Sequence, residues 1–136
     1  MTGSNEFKID HLGIAVRSLD GALRFWEEQL GMRVDTRETV EHEKVNLAML
    51  PASGPRIELL EPTSAESAIG KFIEKRGEGL HHVAIRVPDL NAAVERLRAG
   101  GARLLNEPRT GAGGHTYVFL HPASTGGVLL ELIQDH

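Results

Sequence analysis

The chain contains no cysteine, which excludes disulfides, thiolate metal sites and a cysteine nucleophile, so any bound metal must sit on nitrogen and oxygen ligands. It also has no block of five or more like charges and a net charge of only −4. A nucleic-acid or anionic membrane partner is therefore not expected. Nowhere do eighteen apolar residues run together, and the opening Met1-Thr-Gly-Ser-Asn-Glu-Phe-Lys8 has no apolar core of signal-peptide length. The expected address is the cytoplasm. What is present is ordinary globular composition, 40% apolar and 25% charged over 136 residues, enough for one domain with a sizeable core. The seven histidines are the feature that asks for an explanation.

Laid against itself with a shift of 71 residues, Asp10-His11-Leu12-Gly13-Ile14-Ala15-Val16 matches His81-His82-Val83-Ala84-Ile85-Arg86-Val87. The match runs on through Leu19 with Leu90, Ala22 with Ala93 and Leu23 with Val94. After a one-residue gap, Gly31-Met32-Arg33-Val34 meets Gly101-Ala102-Arg103-Leu104. Leu23, Trp26 and Leu30 in the first half, and Leu90, Val94 and Leu97 in the second, have the spacing of one helical face. Asp20 and Asp89 are candidate caps, and Gly31 and Gly100-Gly101 stand where a left-handed residue would end each helix. Short β-prone segments follow, at about 32–38, 43–50 and 55–60, and at about 102–105, 115–120 and 127–133.

Each half thus reads βαβββ, and the predicted class is α+β. One domain over 1–136 is expected, with a first module at about 7–61, a linker helix at about 62–78 carrying Ile69, Phe72 and Ile73, and a second module at about 79–134. Neither four-stranded unit can bury an open sheet alone, so the two are expected side by side as a curved eight-stranded mixed sheet around a cleft.

His11 and His82 occupy equivalent first strands, and Glu58 and Glu131 equivalent last strands, at spacings of 47 and 49 residues. A carboxylate inside Ile57-Glu58-Leu59-Leu60 or Leu130-Glu131-Leu132-Ile133 is costly to desolvate unless a positive charge compensates it. A divalent cation would do so, and two imidazoles with two carboxylates suit Co²⁺, Ni²⁺, Mn²⁺ or Zn²⁺. Strand alternation and the repeat select His82 over His81 as the inward residue. His42, His115, His121 and His136 have no repeat partners and are read as surface or pocket residues.

The paired βαβββ units with these His and Glu positions resemble the vicinal oxygen chelate superfamily from Ile9 onward. Within it, four segments are similar to the methylmalonyl-CoA epimerase family: Ile9-Asp10-His11-Leu12-Gly13-Ile14-Ala15-Val16, Gly77-Glu78-Gly79-Leu80-His81-His82-Val83-Ala84, Pro108-Arg109-Thr110-Gly111-Ala112-Gly113-Gly114, and His121-Pro122-Ala123-Ser124-Thr125-Gly126-Gly127-Val128-Leu129-Leu130-Glu131-Leu132. The resemblance implies one divalent ion per chain, Co²⁺ first among the four, on His11, Glu58, His82 and Glu131. It also implies methylmalonyl-CoA as substrate and a homodimer.

One departure stands out. Some members carry a catalytic glutamate at the position matching Leu47, together with glutamine at the position matching Glu58. Epimerisation at C2 removes a proton and returns one on the opposite face of a metal-stabilised enolate, so two bases are needed. Glu131 paired with Glu58, or with Glu43 in place of Glu58, is the expected set. Gly111, Gly113 and Gly114 permit backbone close to a ligand, with N–H groups for the substrate carboxylate or thioester and His115 beside them. A glyoxalase I type lactoylglutathione lyase would use the same ligand set, and a non-catalytic small-molecule binding protein shares the same fold. An extradiol dioxygenase is disfavoured, because a fourth protein ligand would occupy an open position of a two-His, one-carboxylate iron site.

Overall fold

The structure is a computed structural model that describes residues 6–135; His136 lies outside them. The first half runs β1 (Lys8–Ala15), α1 (Leu19–Leu23), β2 (Thr36–Val40), β3 (Val45–Pro51) and β4 (Arg56–Pro62). After α2 (Ala68–Arg76), the second half repeats the pattern with β5 (Gly79–Val87), α3 (Leu90–Ala99), β6 (Arg109–Thr110), β7 (Thr116–Leu120) and β8 (Leu130–Gln134). Among the described residues the strand order is β2-β3-β4-β1 in the first half and β5-β8-β7-β6 in the second. Pairs β1/β4 and β5/β8 are parallel, while β2/β3, β3/β4, β6/β7 and β7/β8 are antiparallel.

Two compact units divide the chain, His11–His81 and the remainder on either side of it. The His11–His81 unit has its own core of Val16, Leu19, Leu23, Ala48, Leu50 and Leu59. In the other unit Val87, Leu90, Val94, Val118, Leu120 and Leu132 do the same work. Leu50 and Leu59 are wholly excluded from solvent, and each such side chain contributes about 1.5–3 kcal/mol of hydrophobic stabilisation.

The first helix departs from the simple amphipathic pattern. After Leu23 the backbone widens into a π-helix over Arg24–Gln29, and Leu30 N donates to Phe25 O at 2.8 Å, five residues back. That extra residue per turn rotates the face. Leu23 stays buried while Leu30 is 55% exposed, so Leu23, Trp26 and Leu30 do not share one buried stripe. The cap is Ser18, whose Oγ accepts from Gly21 N at 3.0 Å, whereas Asp20 lies in the first turn and meets Arg37. Asp89 does cap α3, its Oδ1 accepting from Ala92 N at 3.1 Å. Gly31 and Gly101 have φ of 90° and 84°, the left-handed termini expected of them.

The segment expected as a strand at 102–105 contributes a single bridge, Leu104 to Leu120, and the strand forms later, at Arg109–Thr110. Asn106 explains the gap. Its Oδ1 accepts from Phe119 N at 2.8 Å, and its Nδ2 donates to Glu107 O at 2.7 Å and to Tyr117 O at 3.4 Å. A side-chain amide thus takes the place of a backbone ladder that Pro108, with no N–H, could not supply in full.

Candidate active site and metal centre

Each unit presents the same local arrangement, built from a parallel strand pair. In the first, β1 and β4 are in register with Gly13 opposite Glu58; in the second, β5 and β8 place Ala84 opposite Glu131. A small residue therefore faces each carboxylate, and the histidine two positions earlier on the same strand, hence on the same face, reaches across to it. His11 Nε2 lies 3.2 Å from Glu58 Oε1, and His82 Nε2 lies 3.2 Å from Glu131 Oε1. His11, Glu58 and His82 are 4–5% exposed, and the Glu131 side chain 13%.

The surroundings are apolar. Glu58 is cross-strand from Met49 and Glu131 from Phe119, and the Phe119 ring meets the His82 imidazole edge-on at 5.6 Å. Ionised carboxylates in such positions need compensation. Within each unit an imidazole nitrogen and a carboxylate oxygen stand together as two adjacent candidate metal ligands, His11 with Glu58 and His82 with Glu131. Imidazole nitrogens and carboxylate oxygens, three of the four residues buried and Glu131 partly so, with no sulfur among them, fit a borderline divalent cation with nitrogen and oxygen preference. The donor chemistry fits the expected ion.

The other candidates are placed differently. Glu43 is not on β3, which starts at Val45; it ends a 3₁₀ turn, Glu41–Glu43. Lys44 at φ 56° separates the two, so strand alternation no longer relates Glu43 to Leu47, and its carboxylate lies 3.7 Å from His42 Nε2. Leu47 itself is a core residue, 2% exposed. Gly111, Gly113, Gly114 and His115 form a tight loop between β6 and β7. Gly111 N donates to His115 O at 2.8 Å and Gly114 N to Gly111 O at 3.0 Å, so two of the N–H groups considered for substrate are bonded within the loop. Gly113 and Gly114 have φ of 69° and 77°, and a Cβ on Gly111 would stand 2.6 Å from Tyr117 Cε1. The glycines are there because the backbone path requires them.

His81 packs edge-on against Phe72 of α2 at 4.9 Å, in keeping with its outward assignment. His121 serves the loop that follows β7, its Nδ1 accepting from Ala123 N at 2.9 Å.

Residues 10–119 match the family model of the glyoxalase/bleomycin resistance protein/dioxygenase superfamily. The human mitochondrial methylmalonyl-CoA epimerase is 36% identical over 98% of this chain and 78% of its own length. The chain belongs to the methylmalonyl-CoA epimerase family. The uncharacterized Bacillus subtilis protein YqjC is also similar, 41% identical over 93% of this chain and 91% of its own length. A methylmalonyl-CoA epimerase solved with methylmalonyl-CoA and NH4+ superimposes with a TM-score of 0.87 at 40% identity, covering 94% of either chain. This epimerase-family chain is thus an isomerase by kinship, on the fold that its repeat predicted.

Two residues of consequence were not singled out from the sequence. Glu61 and Gln134 stand three positions beyond Glu58 and Glu131, and their side chains accept from Leu19 N at 3.0 Å and Leu90 N at 2.9 Å. Extending the comparison of Ile57-Glu58-Leu59-Leu60-Glu61 with Leu130-Glu131-Leu132-Ile133-Gln134 by one residue would have found them.

Proposed function

We propose that this chain interconverts the (R) and (S) epimers of methylmalonyl-CoA, with His11, Glu58, His82 and Glu131 holding one divalent cation, Co²⁺ first and Ni²⁺, Mn²⁺ or Zn²⁺ as alternatives. The observation that carries the reading is the duplicated pair: an imidazole and a carboxylate 3.2 Å apart in each half, at matching positions of the repeat, in a chain of the epimerase family. When bound, the cation supplies Lewis acidity toward the thioester and carboxylate oxygens of a malonyl thioester.

The chain's own groups do the rest. His11 and His82 act as neutral ligands through Nε2. One buried carboxylate takes the C2 proton on an oxygen as the C2–H bond breaks and the electron pair moves toward the thioester oxygen. The other returns a proton to the opposite face. Glu131 is assigned one of these roles and Glu58 the second, with Glu43 as the substitute for Glu58. Because a carboxylic acid exchanges its proton with water, the reaction carries solvent hydrogen into C2. General acid–base catalysis of this kind contributes roughly 10²- to 10⁴-fold. Methionine and phenylalanine beside the carboxylates limit the water that competes for them. The remaining N–H groups of the Gly111–His115 loop are proposed to contact the substrate's carboxylate or thioester.

A cytoplasmic, homodimeric enzyme belongs to the same reading; among the described residues no helix is long and apolar enough to cross a membrane. The test is direct. Incubated with one epimer of methylmalonyl-CoA in deuterium oxide, the protein is expected to produce the other epimer with deuterium at C2. Turnover of a glutathione hemithioacetal in place of methylmalonyl-CoA would replace this reading with that of a lactoylglutathione lyase.

A further inference from the structure

The two helices are fastened to the site-bearing strands in the same way. In α1, Ser18 Oγ accepts from the N–H of the third helical residue, Gly21, and Glu61 Oε2 accepts from that of the first, Leu19. In α3, Asp89 Oδ1 accepts from the third, Ala92, and Gln134 Oε1 from the first, Leu90. Helix N-termini leave these N–H groups without intrahelical partners. The third is served locally by the capping residue, as in ordinary caps. The first is served in both halves from the end of the strand that carries the buried carboxylate.

Glu61 and Gln134 are each three residues beyond Glu58 and Glu131, so they point to the opposite face of the same strand, about 10 Å further along it. That opposite face is the helix face: Ile57 and Leu59 pack in the α1 core, and Leu130 and Leu132 in the α3 core. Both acceptors are held in turn. Glu61 Oε1 accepts from Asn46 Nδ2 at 2.9 Å, and Asn46 Oδ1 accepts from Thr39 Oγ1 at 2.6 Å. Gln134 Nε2 donates to Pro88 O and Asp135 O, both at 2.8 Å.

We infer that Glu61 and Gln134 are positioning residues, which lock the register of β4 and β8 against the helices and so set where Glu58 and Glu131 present their carboxylates. A strand that slips by one residue turns its side chains to the other face, so a fixed point beyond each carboxylate protects the ligand geometry. The inference rests on the metal reading above, in which those carboxylates are ligands. The role requires an acceptor at Leu19 N, not a negative charge. Gln at position 61 would keep it, because the Asn46 amide can turn to offer its oxygen to the new Nε2 and its nitrogen to Thr39 Oγ1.

The experiment is calorimetric titration of Co²⁺ into wild type, Glu61→Ala, Glu61→Gln and Gln134→Ala, each shown by circular dichroism to be folded at the titration temperature. Both alanine variants are expected to bind Co²⁺ about tenfold more weakly, the low end of what loss of a residue supporting a metal ligand costs, with Glu61→Gln restored to the wild-type affinity. Folded alanine variants with wild-type affinity would overturn the inference and leave the metal reading intact. Glu61→Gln as weak as Glu61→Ala would overturn it too, since charge and not the acceptor would then matter. Wild-type protein that takes up no Co²⁺ would overturn the metal reading and this one with it. Should Glu61→Ala not fold, Asn46→Ala, which releases only one carboxylate oxygen of Glu61, is expected to weaken Co²⁺ in the same direction, and wild-type affinity there would count against the inference.

Discussion

Replacing Glu58 by glutamine separates the two jobs assigned to that residue. The amide has nearly the volume of the carboxylate and keeps an oxygen to face His11 Nε2, now 3.2 Å from Glu58 Oε1. Packing against Met49, cross-strand from it, is unchanged. What disappears is the ability to carry a proton. If Glu58 is one of two bases, Glu58→Gln should lower epimerisation by about 10²- to 10⁴-fold, or about 2.7–5.4 kcal/mol in the barrier at 1.36 kcal/mol per tenfold. Hydrogen exchange should behave otherwise. The base that remains, Glu131, can still remove and return a proton on its own side, so one epimer should keep washing deuterium into C2 without inverting. Glu131→Gln should show the same behaviour with the other epimer. The assay is proton NMR of each pure epimer in deuterium oxide, with inversion followed by chiral chromatography and bound metal by elemental analysis. Glu58→Gln protein that inverts substrate at the wild-type rate would refute the role given to Glu58 and move it to another group, Glu43 first.

Other expectations follow from packing and from the metal. Gly111→Ala would bring a Cβ to 2.6 Å from Tyr117 Cε1, and Tyr117 is only 5% exposed; a loss of about 1–3 kcal/mol is expected, as for overpacking generally, and thermal unfolding at an unchanged midpoint would contradict it. Leu59→Ala, at a wholly buried position, should cost about 2–5 kcal/mol by denaturant titration. A saturating divalent ion at 100 times its dissociation constant should add about 2.7 kcal/mol, seen as a midpoint of thermal unfolding that rises with metal concentration. His82→Ala should abolish that rise, and a rise that persists would place the ion elsewhere.

The sequence carried the fold because the fold is a duplication. One aligned strand, His11 with His82, gave the register from which α1, α3 and the carboxylates could be counted. What it hid were features decided by hydrogen bonds outside regular ladders. The π turn that swings Leu30 outward depends on i→i+5 backbone bonds, and the hydrophobic spacing of Leu23, Trp26 and Leu30 cannot distinguish it from α-helix. Asn106 replaces ladder bonds with its amide, so a β-prone stretch at Leu104 yields only a bridge. Glu43 shows the limit of alternation: two-residue periodicity relates side chains only while the chain stays extended, and Lys44 at φ 56° ends that before Glu43. The His and Glu positions were legible because charge in an apolar strand is conspicuous; Glu61 and Gln134 were not, because a polar residue at a strand end is commonplace until its partner is known.

The most direct test of the account measures the metal content of the purified protein and, on the same sample, deuterium incorporation at C2 of methylmalonyl-CoA with and without chelator. About one divalent ion per chain, with exchange that stops when it is stripped and resumes when Co²⁺ is restored, is the predicted result. Exchange that continues unchanged in fully stripped protein would contradict the claim that the His11, Glu58, His82 and Glu131 site works as a metal centre.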